Sequence, residues 1–209
     1  MDRESHWQGV YGSKAETAVS WYEAQPRQSL DLIRRAAPDG AAGVIDVGGG
    51  ASTLVDHLLA AGYRDLTVLD ISDHALARAK ARLGAAASRV AWIVTDVTRW
   101  QPARTWDVWH DRAVFHFLTA PDDQDAYLAA LRAALAPGAF VILATFAPDG
   151  PERCSGLPVQ RYDAAMLAHR LGPGFALVAA EAATHTTPWG VEQRFTHTLF
   201  RRTLSMSGG

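Results

Sequence analysis

Two carboxylates flank a run of glycines in this chain. Asp46 opens Asp46-Val47-Gly48-Gly49-Gly50-Ala51-Ser52, and Asp70 closes Val68-Leu69-Asp70 about 20 residues further on. Glycine lets backbone approach a bound molecule that a Cβ would hold off, and it supplies the unusual dihedrals of a tight strand-to-helix turn. An acid at the end of the second strand of a βαβ unit is placed to accept both hydroxyls of an adenosine ribose. A dinucleotide fingerprint closes with Gly or Ala at its sixth position; counted from Gly48, that position is Thr53. Asp46, two residues before the first glycine, is poor company for a pyrophosphate and a good partner for an ammonium or a sulfonium. These residues suit the binding of a nucleoside that carries a positive group.

A sheet has to bring them together. Apolar runs alternate with helical stretches along the chain, the pattern of a parallel sheet with helices on both faces. Strands are predicted at Gly43–Val47, Leu66–Leu69, Val90–Val94, Trp106–Trp109 and Phe140–Phe146, with helices at Thr53–Ala61, His74–Leu83 and Asp122–Leu135 between them. Ser72 and Asp122 are expected as N-caps and Pro137-Gly138 as a helix stop. A helix at Asp163–Leu171 then precedes two last strands, Phe175–Ala183 and Gln193–Arg201, read as an antiparallel hairpin. The expected fold is α/β: a doubly wound, mostly parallel seven-stranded sheet over residues 39–209, with residues 1–38 as a helical cap. Only the closing Ser205-Met206-Ser207-Gly208-Gly209 reads as a low-complexity, frayed end.

In such sheets the ligand sits outside the carboxyl ends of the parallel strands. The loop after the fourth strand, Trp109-His110-Asp111-Arg112-Ala113-Val114-Phe115-His116-Phe117, therefore offers His110, Asp111, Arg112 and His116 as groups that could orient or deprotonate a nucleophile. Arg112 is expected to bridge to Asp111 or to hold an anion bidentately. His185 reaches the same rim from the last hairpin. The segment from Phe146 to Tyr162 carries Cys154, Arg161 and Tyr162 and is predicted to be a lid without secondary structure of its own. Trp7, Tyr11, Trp21 and Tyr22 of the cap, together with Trp109, Phe115, Phe117 and Trp189, are candidates to close over the site. A sulfonium over an aromatic face gains about 0.5–2 kcal/mol. No spacing of His and Cys resembles a zinc motif, so no metal is expected.

An acid followed by a glycine turn, with a second acid at the end of the next strand, resembles the class I S-adenosylmethionine-dependent methyltransferases, and the resemblance runs from about Ser29 to Arg202. It implies S-adenosylmethionine as cofactor, bound by Trp21, Ser29, Asp46, Gly48, Gly49, Gly50, Asp70, Ile71, Asp96, Val97 and Asp111. Asp96 would accept from the adenine amine, with Val97 supplying a backbone N–H. It also implies direct in-line displacement at the methyl, which needs no covalent Cys154 intermediate. Trp7, Tyr11, Tyr22, Phe115, Cys154, Arg161, Tyr162 and Trp189 are then expected around the acceptor. Without a large inserted substrate domain the acceptor is expected to be a small molecule, with a preference for a thiol or similar soft nucleophile. A second likeness points elsewhere. Ser20-Trp21-Tyr22…Pro26…Ser29 and Thr187-Pro188-Trp189-Gly190…Gln193-Arg194-Phe195 are similar to parts of the enzymes that methylate lysines on folded proteins, including citrate synthase, although Glu23 stands where an amide is expected. A third alternative is a nucleotide-binding domain that turns nothing over.

Composition narrows the partners. The chain has 209 residues, a net charge of −2 and a pI near 6.4, with no basic footprint for nucleic acid. No apolar run approaches the roughly 20 residues that span a bilayer, and the first residues show no signal-peptide core. A lone cysteine, Cys154, fits a reducing compartment. A cytoplasmic location is expected.

Overall fold

The computed structural model describes residues 2–203; the tail from Ser205, read above as frayed, lies outside the described residues. The cap comprises α1 (Arg3–Ser13) and α2 (Arg27–Ala36). Then follow β1 (Val44–Val47), α3 (Leu54–Ala60), β2 (Leu66–Asp70), α4 (Asp73–Leu83), β3 (Val90–Val94), β4 (Trp106–Arg112), α5 (Pro121–Ala134) and β5 (Leu135–Phe146). A small hairpin, β6 (Arg153–Cys154) and β7 (Leu157–Pro158), leads to α6 (Ala164–Leu171), β8 (Phe175–Thr186) and β9 (Glu192–Arg202).

The main sheet has seven strands in the order β3-β2-β1-β4-β5-β9-β8. The first five run parallel, and β9 lies antiparallel between β5 and β8. β1 and β2 are buried along their whole length, as central parallel strands covered on both faces must be. The strand order reverses between β1 and β4, which places the crevice beside the glycine turn.

Side-chain alternation sorts residues between two cores. Ile45, Val47, Trp109, Val141 and Leu143 face α5 and α6, where Leu131 and Leu167 meet them. Val44, Val68, Val108, Ile142 and Leu199 face α2 and α3, packed on Leu30, Ile33, Leu54 and Leu58. The same alternation turns His110 and Arg112 toward the cap and Asp111 away from it.

Several boundaries depart from expectation. β4 continues through Arg112 because its ladder with β5 holds out to Arg112↔Ala144. Helix α5 begins at Pro121 with Ala120 as its N-cap, so Asp122 lies inside the first turn, where an acid favours the helix N-terminus. Pro137-Gly138 falls within β5, which starts at Leu135. The 146–162 segment contains the β6–β7 hairpin, and β8 extends to Thr186, with His185 opposite Gln193. Ser72 caps α4 as expected, accepting from the Ala75 N–H at 3.2 Å.

Candidate active site

The turn after β1 is shaped by what surrounds it. Gly48 and Gly50 take φ of +70° and +42°, the left-handed region that favours glycine. A Cβ on Gly48 would overlap Val114 of the loop after β4; one on Gly49 would lie 2.5 Å from Asp46 Oδ2. On Gly50 it would lie 2.8 Å from Asp70 Oδ2 and 3.2 Å from Tyr11 Oη. The missing side chains thus leave room for both carboxylates to reach the turn. Arg82 of α4 holds the exit of the turn. It donates to the Ala51 and Ser52 carbonyls at 2.9 and 2.7 Å and forks onto Asp56 at 3.0 and 2.7 Å, with Glu16 of the cap also against it.

A cleft with about 720 Å³ of unfilled space, counted to its open mouth, runs along the turn and the ends of β2 and β3. Asp70, Ile71, Asp96 and Val97 line one side, and Trp7, Tyr11, Trp21, Arg112 and Phe117 another. Asp70 accepts the Ser72 N–H at 2.8 Å; burial pushes its carboxyl up to about 7. Asp96 accepts from the Thr98 N–H and Oγ1–H at 2.9 and 2.7 Å, and Arg3 of α1 approaches it at 3.4 Å while pairing with Asp123 at 2.6 Å. A second, smaller cavity of about 390 Å³ adjoins the turn on the α2 side, lined by Ser29, Asp46, Gly49 and His110. Tyr11, Trp21, Gly48 and Arg112 line both cavities and mark their junction.

Behind that junction a row of polar side chains crosses the sheet. Asp46 sits opposite His110 across β1 and β4, Arg112 and His197 flank Ala144 of β5, and His197 sits opposite Glu181 of β8. His110 Nδ1 bonds Asp46 at 2.7 Å and its Nε2 bonds Ser29 Oγ at 2.8 Å. Asp46 as a carboxylate can only accept, so the ring donates from Nδ1 and Nε2 receives the serine hydroxyl. Arg112 Nη2 donates to the Trp21 carbonyl at 2.9 Å and to Glu23 at 3.0 Å. Glu23 also meets His185 Nδ1 at 3.0 Å, while His185 Nε2 reaches the Ser20 carbonyl at 2.5 Å. Burial opposes the charge on Glu23, yet the His185 hydrogen bond and the Arg112 charge hold its carboxyl below the ordinary range. Both nitrogens of His185 thus face acceptors, Glu23 and the Ser20 carbonyl.

Other expected residues lie elsewhere. Asp111 faces α5, where its carboxylate accepts the Val114 and Phe115 N–H groups at 2.7 and 3.0 Å and the Tyr127 hydroxyl at 2.5 Å. It makes no bridge to Arg112; it caps the turn that follows β4. Phe115 and Tyr162 stack in the core at 5.3 Å between ring centres, and Trp109 is buried against Tyr127. His116 is sealed: its Nδ1 accepts the Phe146 N–H at 3.3 Å, and burial lowers it to about 3. Cys154 packs behind Trp21 and Phe117, its thiol pushed up to about 11 by burial. Arg161 is engaged with Glu152 and the Gly150 carbonyl, and Trp189 is 59% exposed at the tip of the last hairpin. Tyr22 lines an outer groove beside Glu23 and His185. Sequence reasoning passed over Arg3 and Arg82, and noted Glu23 only as a departure from an expected amide. Each is a single charge in a polar stretch, and only the fold gives it a partner.

Residues 45–141, which hold the turn, β2 and β4, match the family model described as "Methyltransferase domain". These residues carry a methyltransferase domain. Its cofactor is S-adenosylmethionine. No curated protein matches the sequence. Among solved structures, the methyltransferase resembles one from work on the conversion of a disulfide bond into a thioacetal group during echinomycin biosynthesis, at 20% identity over 98% of this chain and 94% of that one, with a TM-score of 0.74. The N-methyltransferase NodS of Bradyrhizobium japonicum, solved with S-adenosylhomocysteine, is 17% identical over 96% of this chain and 99% of its own, TM-score 0.72. The 1,6-didemethyltoxoflavin-N1-methyltransferase of Burkholderia thailandensis is 22% identical over 96% and 84%, TM-score 0.68. At these identities the likeness is one of fold. The methyltransferase's own residues fit the cofactor: the turn bears no side chains that would fill the cleft, and the buried Asp46 and Asp70 both reach it. Among the described residues no helix is long and apolar enough to cross a membrane.

Proposed function

We propose that this methyltransferase acts on a small, soft nucleophile, a thiol before other acceptors, in a reducing cytoplasm. One observation carries the assignment: among the described residues no histidine near the junction is placed to act as a base. His110 is held between Asp46 and Ser29, His185 between Glu23 and the Ser20 carbonyl, and burial lowers His116 to about 3 and His197 to about 4. A neutral hydroxyl or amine gains typically 10²–10⁴-fold from a positioned base. A thiol with a free pKa near 8.5 provides a useful thiolate fraction without one.

In this reading Asp70 takes the ribose hydroxyls, Asp96 and Val97 flank the adenine, and Asp46 faces the ammonium. The donor supplies an activated methyl group. Trp7, Tyr11 and Trp21 keep the cleft dry, and alignment of the two partners lowers the barrier. A mass-spectrometric screen of thiols, phenols, amines and lysate proteins for methylated products is the test. Methylated thiols are expected; methylation confined to protein lysines or to amines would overturn the assignment.

A further inference from the structure

A site without a free base must still favour the ionised acceptor, and the side chain at the junction with N–H donors to spare is Arg112. Its Nη2 is saturated by Trp21 and Glu23. Its Nε and Nη1 bond no acceptor among the described residues, and neither is sealed from the cavities that Arg112 lines. Both two-pronged edges of a guanidinium include Nη2, so the bidentate grip expected from the sequence is spent, and an incoming anion would be held singly, through Nη1.

Among the described residues no neighbouring carboxylate bonds the free edge of Arg112. Glu23 is shared between Arg112 Nη2 and His185. Asp46, the next carboxylate, is bound by His110. Of the remaining groups near Arg112, Cys154 and Tyr11 are pushed up by burial and His197 is lowered by it, so all stay neutral near pH 7. The free Nη1 edge of Arg112 is therefore open to an anion. The walls of the junction are aromatic: Trp7 meets Trp21 and Phe117 edge-on, with ring centres 5.7 and 5.0 Å apart. Flat faces suit a flat acceptor, and an aromatic thiol is more acidic than an alkyl one because the ring takes up the charge.

We propose that Arg112 receives the thiolate of a small aromatic thiol and replaces a general base by stabilising the ionised acceptor, with Glu23 setting how much of its charge is available. The inference rests on the soft-acceptor function proposed above. The thiol first loses its proton to water. The thiolate sulfur then bonds to the methyl carbon as the carbon–sulfonium bond breaks, and that electron pair stays on the donor's sulfur.

Benzenethiol is the probe, because its thiolate absorbs at longer wavelength than the thiol. Titrated with the full chain saturated in S-adenosylhomocysteine, which has no methyl to give, bound benzenethiol should ionise about one unit lower than free, a tenfold change in thiolate fraction. Arg112→Met should abolish that shift, Arg112→Lys should keep most of it, and Glu23→Gln should enlarge it. The affinity for S-adenosylhomocysteine should change less than about threefold in each. A titration that the protein leaves unmoved, or that Arg112→Met leaves in place, overturns the assignment of Arg112 while methylated thiols in the product screen keep the function. A tenfold loss of S-adenosylhomocysteine affinity in Arg112→Met would give Arg112 to the donor's carboxylate instead. Methylation of amines or alcohols without thiols would remove the function and this inference together.

Discussion

On the Asp70 side of the cleft, backbone makes the wall: the turn, the ends of β2 and β3, and two carboxylates carried on short side chains from buried strands. On the Arg112 side the wall is assembled from distant segments. Ser20 meets His185 across 165 positions, Trp21 meets Arg112 across 91, and Ser29 meets His110 across 81. The first wall is as rigid as the sheet. The second exists only while the cap lies on β4, β8 and β9. A donor shared by many enzymes suits the first construction; an acceptor that differs between them suits the second.

The largest effect should come from breaking the backbone wall. Gly48→Val adds a branched side chain at φ +70°, where its Cβ would overlap Val114. Calorimetry should show S-adenosylhomocysteine affinity falling at least about 100-fold, or 2.8 kcal/mol, while the far-ultraviolet circular dichroism keeps its sheet signal. Normal binding by a folded variant would mean that the turn does not shape the site.

Asp70→Asn should cost about 10–100-fold in the same affinity, since hydrogen bonds to a charged partner carry about 1.5–3 kcal/mol. Burial raises Asp70 to about 7, so the ligand-free folded state keeps a proton that the unfolded chain releases near pH 4. The protein should therefore lose stability as pH rises from about 4 to about 7, with the penalty fully present above that. The affinity should rise over the upper part of the same window as the carboxylate ionises. Melting and calorimetry across pH should show both trends weakened in Asp70→Asn; unchanged profiles would dissociate Asp70 from the ribose.

Arg82 tests whether the two walls are coupled, because it holds the exit of the turn and also contacts Glu16 of the cap. Arg82→Met should weaken S-adenosylhomocysteine binding by roughly 5–10-fold, on the order of one lost charged hydrogen bond. Hydrogen exchange should also quicken over the 48–52 turn and over residues 14–18. Faster exchange in the turn alone would mean that the walls move independently.

The contrast between the walls also explains what the sequence disclosed. The turn, Asp46 and Asp70 were legible because spacing along one βαβ unit fixes their geometry. Asp111 was misplaced because one residue of strand register decides its face, and β4 ran further than its apolar run. Arg82 and the partners of Glu23 were invisible because the fold brings them together, and a lone charge in a polar stretch has no pattern. Phe115 and Tyr162 looked like site aromatics because they lie on loops at the correct sheet edge, but their rings fill the core beneath it.

The smallest effect should come from His116, and its smallness is the point. Its ring lies beside Phe117 and Phe146, at 4.5 and 4.8 Å between ring centres, and it is fully buried. Burial lowers it to about 3, so it is neutral near pH 7 and Nδ1 is occupied by the Phe146 N–H. The remaining proton sits on Nε2, which has no partner among the described residues and can only donate. Such a ring cannot accept a proton from the acceptor. His116→Phe keeps the volume and gives up one long hydrogen bond, worth about 0.5–1.5 kcal/mol of stability at most. Turnover of a thiol should then fall by less than about threefold, far short of the 10²–10⁴-fold a positioned base contributes. Steady-state kinetics on the folded variant, with S-adenosylhomocysteine affinity measured alongside, decides it. A collapse of turnover with binding intact would make His116 the base after all and move the acceptor from sulfur to oxygen or nitrogen.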